Sequence, residues 1–192
     1  SAIVHQQFVY RFGKREYNLS SRTHLMGILN ITPDSFSDGG RFLVHEAALE
    51  HALQMVEDGA DIIDVGGEST RQKSDSYGEG ADTVSLDDEL HRVIPLIETL
   101  VRHTDVPISI DTYKSEVARE ALRAGASIVN DISGFTFDPA MPSIVADAGA
   151  SAVVMHIQGT PKTMQISPAY TDLIGEVGEF LQQSIEKGRR AG

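Results

Sequence analysis

Short apolar, β-branched runs alternate along the chain with longer segments whose apolar residues recur every three or four positions. Three of the runs follow the same phrase. Gly59-Ala60-Asp61 leads into IIDVGG, Gly125-Ala126-Ser127 into IVNDIS, and Gly149-Ala150-Ser151 into AVVMHI. Glycine suits the left-handed position that closes a helix. A run that is apolar throughout suits a parallel strand covered on both faces. The repeated helix, Gly-Ala, strand unit therefore predicts βαβ architecture.

The spans follow from that reading. Residues 8–12 and 15–19 form an opening hairpin turning at Gly13-Lys14, and five strands are expected near 24–31, 61–66, 107–111, 127–132 and 152–156. Helices are expected over about 44–58, 86–103, 114–124, from Asp138-Pro139, and 170–187. In the second helix Leu90, Val93, Ile94, Ile97, Leu100 and Val101 make one stripe, and Ser85 with Asp88 resembles an N-terminal cap. Asp138-Pro139 reads as a cap with proline at the first helical position. In the last helix Ile174, Val177, Leu181 and Ile185 share a face. Glu89, beside Asp87 and Asp88, reads as an exposed helix face.

Five βα units at regular spacing fit an α/β fold of the TIM (β/α)8-barrel type, which takes ~250 residues when complete. The expectation is a single domain over 1–192 that stops before a sixth strand. No Gly-x-Gly-x-x-Gly fingerprint follows the first strand, which lowers the prior of an open doubly wound sheet.

Composition then narrows the function. There is no cysteine, which removes disulfides, thiolate metal sites and a cysteine nucleophile, and suits a cytoplasmic location. A net charge of −12 argues against a nucleic-acid partner. No apolar run approaches the ~20 residues that span a bilayer, and no signal peptide is read at the start.

Ligands of parallel barrels bind at the carboxyl ends of the strands. The polar residues there are Asn30, Thr32, Asp34, Ser35, Ser37 and Asp38; then Glu68, Ser69, Thr70 and Arg71; then Asp111-Thr112, Asn130-Asp131, and His156 with Gln158. Asn130-Asp131 stands inside an apolar run, and an unpaired buried polar group costs ~1–3 kcal/mol. Partners for these side chains must exist, and a polar ligand is one candidate. Asn30, Asp34 and Asp38 recur every four residues, a spacing open to two readings: oxygen donors for a hard cation, or turn chemistry. His156 favours a structural role.

Four blocks now carry a resemblance: ILNITPDSFSDGG, GADIIDVGGESTR, ISIDTYKSEVAREALRAGASIVNDISG and VVMHIQGTPKTMQ. In order and spacing they resemble the signature blocks of the dihydropteroate synthase family. The resemblance implies a TIM-type barrel and a Mg²⁺-dependent condensation of 6-hydroxymethyl-7,8-dihydropterin pyrophosphate with p-aminobenzoate, giving 7,8-dihydropteroate and pyrophosphate. By matched position it implies Asn30 and Asp38 at the metal, and Asp34 and Asp38 ordering the first loop. It implies Phe36 at the aminobenzoate pocket, Thr70 and Arg71 in the second loop with Arg71 near the pyrophosphate, Asp111 and Asn130 on the polar edge of the pterin, and Ile132 and Met155 against its ring.

Two departures stand out. Arg71 is followed by Gln72-Lys73 where the family has Pro-Gly, and the loop runs on to Val84. The motifs of the family's sixth to eighth strands are absent, so a homodimer or a complementing chain is the expected partner beside the small-molecule substrates. The alternatives are a methyltetrahydrofolate methyltransferase-like barrel and a non-catalytic pterin-binding fragment.

Overall fold

The computed structural model describes residues 6–31, 40–68, 84–159 and 167–192. β1 (Val9–Phe12) and β2 (Arg15–Asn18) form the antiparallel hairpin. The remaining elements alternate: β3 (Met26–Asn30), α1 (Gly40–Glu57), β4 (Ile62–Gly66), α2 (Leu86–His103), β5 (Ile108–Asp111), α3 (Ser115–Ala124), β6 (Ile128–Asp131), α4 (Met141–Asp147), β7 (Ser151–Val154) and α5 (Leu173–Ala191). The five later strands are all parallel, in the order β3-β4-β5-β6-β7. Each helix packs on the next, α1 on α2 through α4 on α5. A strictly sequential order with neighbouring helices in one layer is the progression of a β/α barrel. A doubly wound sheet would reverse its order at a switch point.

The three Gly-Ala phrases act as expected. Gly59, Gly125 and Gly149 all have positive φ, and each precedes a strand. At Gly125 (φ 116°) the amide bonds back to Ala121 and Leu122, and an added Cβ would stand 2.9 Å from Val101 Cγ1. Gly125→Ala is therefore expected to cost about 1–2 kcal/mol in urea unfolding. An unchanged midpoint would mean that this closure does not need glycine.

Strand residues alternate between two environments. Leu29, Ile63, Val65, Ile108, Ile110 and Val129 turn toward the helices and join Val93, Leu96, Ile97, Leu100, Val117 and Met141 in the main core. The other set faces inward, away from the helices. At its amino-terminal end the hairpin covers it: Tyr17 packs with Ile62 and Ile128, and the Tyr17 hydroxyl donates to the Asp61 carbonyl at 2.7 Å. Arg22 pairs with the Asp61 carboxylate, which also accepts the Leu25 amide, and the arginine bond holds Asp61 down at about 2. Toward the carboxyl end the inner face is open, and Ile28, Val153 and Met155 stay exposed. The expected burial of every strand on both faces thus holds only for the central strands.

Three further expectations change. α4 begins at Met141, not at Asp138-Pro139. Asp138 instead accepts the Ala140 amide in a turn and the Ser115 amide at the start of α3, so it serves a neighbouring helix. In α5 the face holding Val177, Phe180, Leu181 and Ser184 turns inward, while Ile174 and Ile185 are exposed. Glu89 is 1% exposed and lies on the inner side of α2 with Val93, Leu96 and Leu100, rather than on a solvated face.

Candidate functional site

Parallel register sets the site. Asn30 pairs with Gly66, Gly66 with Asp111, Asp111 with Asn130, and Asn130 with Val153. Residues in register share a face, so Asn30, Asp111 and Asn130 lie in one row across the carboxyl ends of the strands, on the side away from the helices. Gly66 sits between the first two. A Cβ built there would meet Asn30 Oδ1 at 2.9 Å and Asp111 Oδ2 at 3.5 Å. The missing side chain lets both polar groups lean over the strand, and it leaves a shallow floor between them.

One row deeper stand Ile28, Asp64, Ser109, Ile128 and Ser151. Asp64 is 3% and Ser109 0% exposed. Asn130 Nδ2 donates to Asp64 Oδ2 at 3.2 Å, which commits one amide hydrogen and leaves the Asn130 carbonyl oxygen free to accept. Asp64 Oδ1 and Ser109 Oγ find no hydrogen-bond partner among the described residues. Burial raises the Asp64 carboxyl. The Ser109 hydroxyl, close by but outside hydrogen-bond geometry, and the Asn130 amide oppose that rise.

Among the described residues Asp111 has no side-chain hydrogen bond, and it gathers the largest consequence. Burial pushes its carboxyl up to about 7, and the carboxylates of Asp64, Glu89, Asp131 and Glu68 add to the rise. A half-protonated acid at the rim of an open face is poised to gain from a ligand that brings hydrogen-bond donors.

Behind Asp111 the next three residues clasp two glutamates. Thr112 Oγ1 donates to Glu89 Oε1 at 3.1 Å, and the Tyr113 hydroxyl donates to Glu68 Oε1 at 2.8 Å. Lys114 Nζ reaches Glu68 Oε2 at 3.2 Å, Glu89 Oε2 at 2.8 Å and the Val84 carbonyl at 2.7 Å. Burial raises Glu89, and Lys114 opposes it.

The structure thus brings together Asn30, Asp111 and Asn130. Ile132 follows β6 half-buried, and Met155 follows β7 with 40% exposure, so both stand at the same end of the sheet. Asp34, Phe36, Asp38, Thr70 and Arg71 lie outside the described residues. Several other strand-end polar residues have structural partners. Asp131 accepts the Ser133 and Phe135 amides and the Ser133 hydroxyl. The Gln158 carboxamide pairs with both backbone groups of Ala169. His156 packs edge-on against Phe180 at 5.0 Å.

Asp64 is a site residue that the sequence candidates do not include. It breaks the apolar run IIDVGG as Asn130 breaks IVNDIS, so the signal applied to one was present for the other.

The comparisons with known proteins agree with this geometry. The family model described as pterin binding enzyme matches residues 26–192. A dihydropteroate synthase of Synechocystis sp. is 49% identical over 180 residues, covering 94% of this chain and 60% of that protein. The Escherichia coli dihydropteroate synthase is 46% identical over 172 residues, covering 90% of this chain and 58% of that protein. The chain therefore spans about 60% of the length of these relatives. Among solved structures, the Yersinia pestis dihydropteroate synthase in a sulfonamide drug complex superposes with a TM-score of 0.83 at 43% identity, covering 96% of this chain and 64% of that one. The Xanthomonas albilineans enzyme with 4-aminobenzoic acid gives 0.82 at 42% identity, covering 97% and 63%. Sequential parallel strands, a polar row at their carboxyl ends and a family match over nearly the whole chain converge on one assignment: this chain belongs to the family of pterin-binding enzymes.

Proposed function

We propose that this chain carries the pterin-binding part of a dihydropteroate synthase. The reaction joins the dihydropterin methylene to the amine of p-aminobenzoate. A C–N bond forms, the C–O bond to pyrophosphate breaks, and the amine gives up a proton. The observation that carries the reading is the single register row of Asn30, Gly66, Asp111 and Asn130 on an open inner face.

A flat pterin edge presents N–H donors and ring acceptors in one plane. Ionised Asp111 can accept two donors side by side, each such bond contributing ~1.5–3 kcal/mol. The Asn130 carbonyl, oriented by Asp64, accepts another donor. Ile132 and Met155 supply apolar cover, Gly66 leaves room beneath the ring, and Asn30 lies on the far side of Gly66 from Asp111, on the side assigned to the diphosphate. Phe36, Thr70, Arg71, Asp34 and Asp38 keep the roles that the family pattern gives them, at the aminobenzoate, the pyrophosphate and the first loop.

Among the described residues no three His, Cys, Asp or Glu side chains are grouped to hold a metal ion. Asn30 offers one neutral oxygen. That donor set fits Mg²⁺ arriving with a diphosphate, since this ion keeps several waters and takes one or two protein oxygens beside phosphate oxygens. Asn30 and Asp38 would hold it, and it would neutralise charge on the leaving pyrophosphate.

No helix among the described residues is long and apolar enough to cross a membrane. We assign the chain to the cytoplasm, because a cysteine-free sequence needs no oxidising compartment. Among the described residues β3 and β7 are the outer strands of the sheet, and a second copy or a complementing chain would pair there.

The test is titration of this chain with 6-hydroxymethylpterin, followed by a turnover assay with both substrates and Mg²⁺ on a form extended to the length of the relatives. Saturable binding is expected, with Asn130→Ala weakening it roughly tenfold or more. No saturable binding, or no condensation by the extended form, would overturn the reading.

A further inference from the structure

Lys114 makes more polar side-chain contacts than its place at the start of α3 requires. It contributes no side-chain cap to that helix. Instead its ammonium bonds two carboxylates and a backbone carbonyl drawn from the end of β4, the stem before α2, and α2 itself. The lysine and Glu68 side chains are 18% and 17% exposed, and Glu89 only 2%. All four Glu68 and Glu89 oxygens are thereby occupied, by Lys114, Thr112 and Tyr113. Lys114 follows Asp111 by three residues, at the N-cap of α3.

We propose that Lys114 is a positioning residue for Asp111: it cancels the Glu68 and Glu89 charges behind that carboxylate and fixes the strand end that presents it. This rests on the pterin reading above and deepens it. The charged groups acting on Asp111 are Asp64 on β4, Glu68 after β4, Glu89 on α2 and Asp131 on β6; the cations on these elements are Lys114, bonded to Glu68 and Glu89, and Arg92 of α2, which donates to the Gly67 carbonyl. Four of these are carboxylates that repel an ionised Asp111. Lys114 bonds two of them. Without it, Glu89 would be a buried charge with only the Thr112 hydroxyl for a side-chain partner among the described residues. Breaking a buried pair by removing one partner is far more costly than removing both. That asymmetry separates a charge-cancelling role from simple packing.

The test uses Lys114→Gln, Glu89→Gln and the double variant, each read by melting temperature and by affinity for 6-hydroxymethylpterin at one pH near 7.5. Lys114→Gln is expected to lower the melting temperature by several degrees and weaken pterin roughly tenfold. Adding Glu89→Gln should recover most of both losses, and Lys114→Arg should keep both near the wild-type values. Lys114→Gln matching wild type in both readouts would overturn the proposal. So would a double variant no better than the single one. If the unmodified chain binds no pterin, the function proposed above fails, and the melting-temperature arm alone decides the role of Lys114. Rescue there upholds charge cancellation, and its absence rejects it.

Discussion

Asp111→Asn is expected to weaken pterin binding by a hundredfold or more while making the free protein more stable above pH 7. The two effects share one cause. Asp111 is held at about 7 by burial and by four neighbouring carboxylates, against 3.8 for an ordinary aspartate. Below the lower value both folded and unfolded chains carry the proton, and there is no cost. As pH rises from 3.8 to about 7 the unfolded chain releases its proton while the folded one retains it, so stability falls. Above that window both are ionised, and the whole cost remains, at most about 4 kcal/mol. Asparagine removes the charge and so removes the penalty, which should raise the melting temperature at pH 8 by several degrees. The same change replaces one acceptor oxygen with an N–H₂ that meets the donors of a pterin edge. Losing two charge-assisted bonds of ~1.5–3 kcal/mol each accounts for the affinity loss. Thermal unfolding at pH 8 beside a pterin titration checks both halves. A variant that is destabilised at pH 8, or that binds pterin as well as the parent, would remove Asp111 from the site.

How much of this was legible in the sequence depends on whether the signal was local. Three of the strands, β4, β6 and β7, were, because each Gly-Ala closure and the apolar run after it lie within a dozen residues; β3 and β5 showed the apolar run alone. Their ends were not, since the last ladder bond depends on where the neighbouring strand stops; β7 ends at Val154, two residues before its expected end. Asp138, followed by Pro139, has the sequence of a helix cap, which predicts the start of its own helix. Its carboxylate is divided between a turn and the first amide of α3, a partner 23 residues away that no local pattern shows. Glu89 stands beside the acidic Asp87 and Asp88, which predicts an exposed face for all three. Helical spacing, however, places it on the stripe with Val93, Leu96 and Leu100. The expected stripe of Leu90, Val93, Ile94, Ile97, Leu100 and Val101 shares Val93, Ile97 and Leu100 with the buried face but leaves out Leu96 and Glu89. What the sequence could not show was Lys114 arriving from another element to make a buried glutamate tolerable. In the site, Asn30, Asp111 and Asn130 could be named from family blocks and strand ends, but only register shows that they form one row with a glycine floor. Asp64 illustrates the converse. Its role as the acceptor that orients Asn130 comes from facing inward one row deeper, and strand alternation alone would have suggested the face.

Pterin affinity should rise about tenfold per pH unit between roughly pH 5 and 7, then level off. The free protein holds a proton on Asp111 up to about 7. Two N–H donors side by side bond both oxygens of the ionised carboxylate, whereas the protonated form turns one oxygen into a donor, so tight binding expels that proton. Calorimetry in buffers of different ionisation enthalpy should therefore detect about half a proton released per pterin bound at pH 7, and close to none at pH 9. Three neighbouring acids, Asp64, Glu89 and Asp131, are raised as well, which makes a control necessary. Asp131 has both oxygens engaged by Ser133 and Phe135. Glu89 has both oxygens engaged by Thr112 and Lys114, so pterin has no open route to it. Asp64 already accepts the Asn130 amide from one row below. Asp111→Asn separates the contributions: its residual affinity should be nearly flat over the same range if Asp111 is the group that titrates. A flat profile in the parent protein would mean that the carboxylate facing the ligand is already ionised at pH 5, and that the crowding of acids around Asp111 does not govern binding. A pH slope that survives unchanged in the variant would move the titrating group to Asp64, and with it the contact that recognises the pterin.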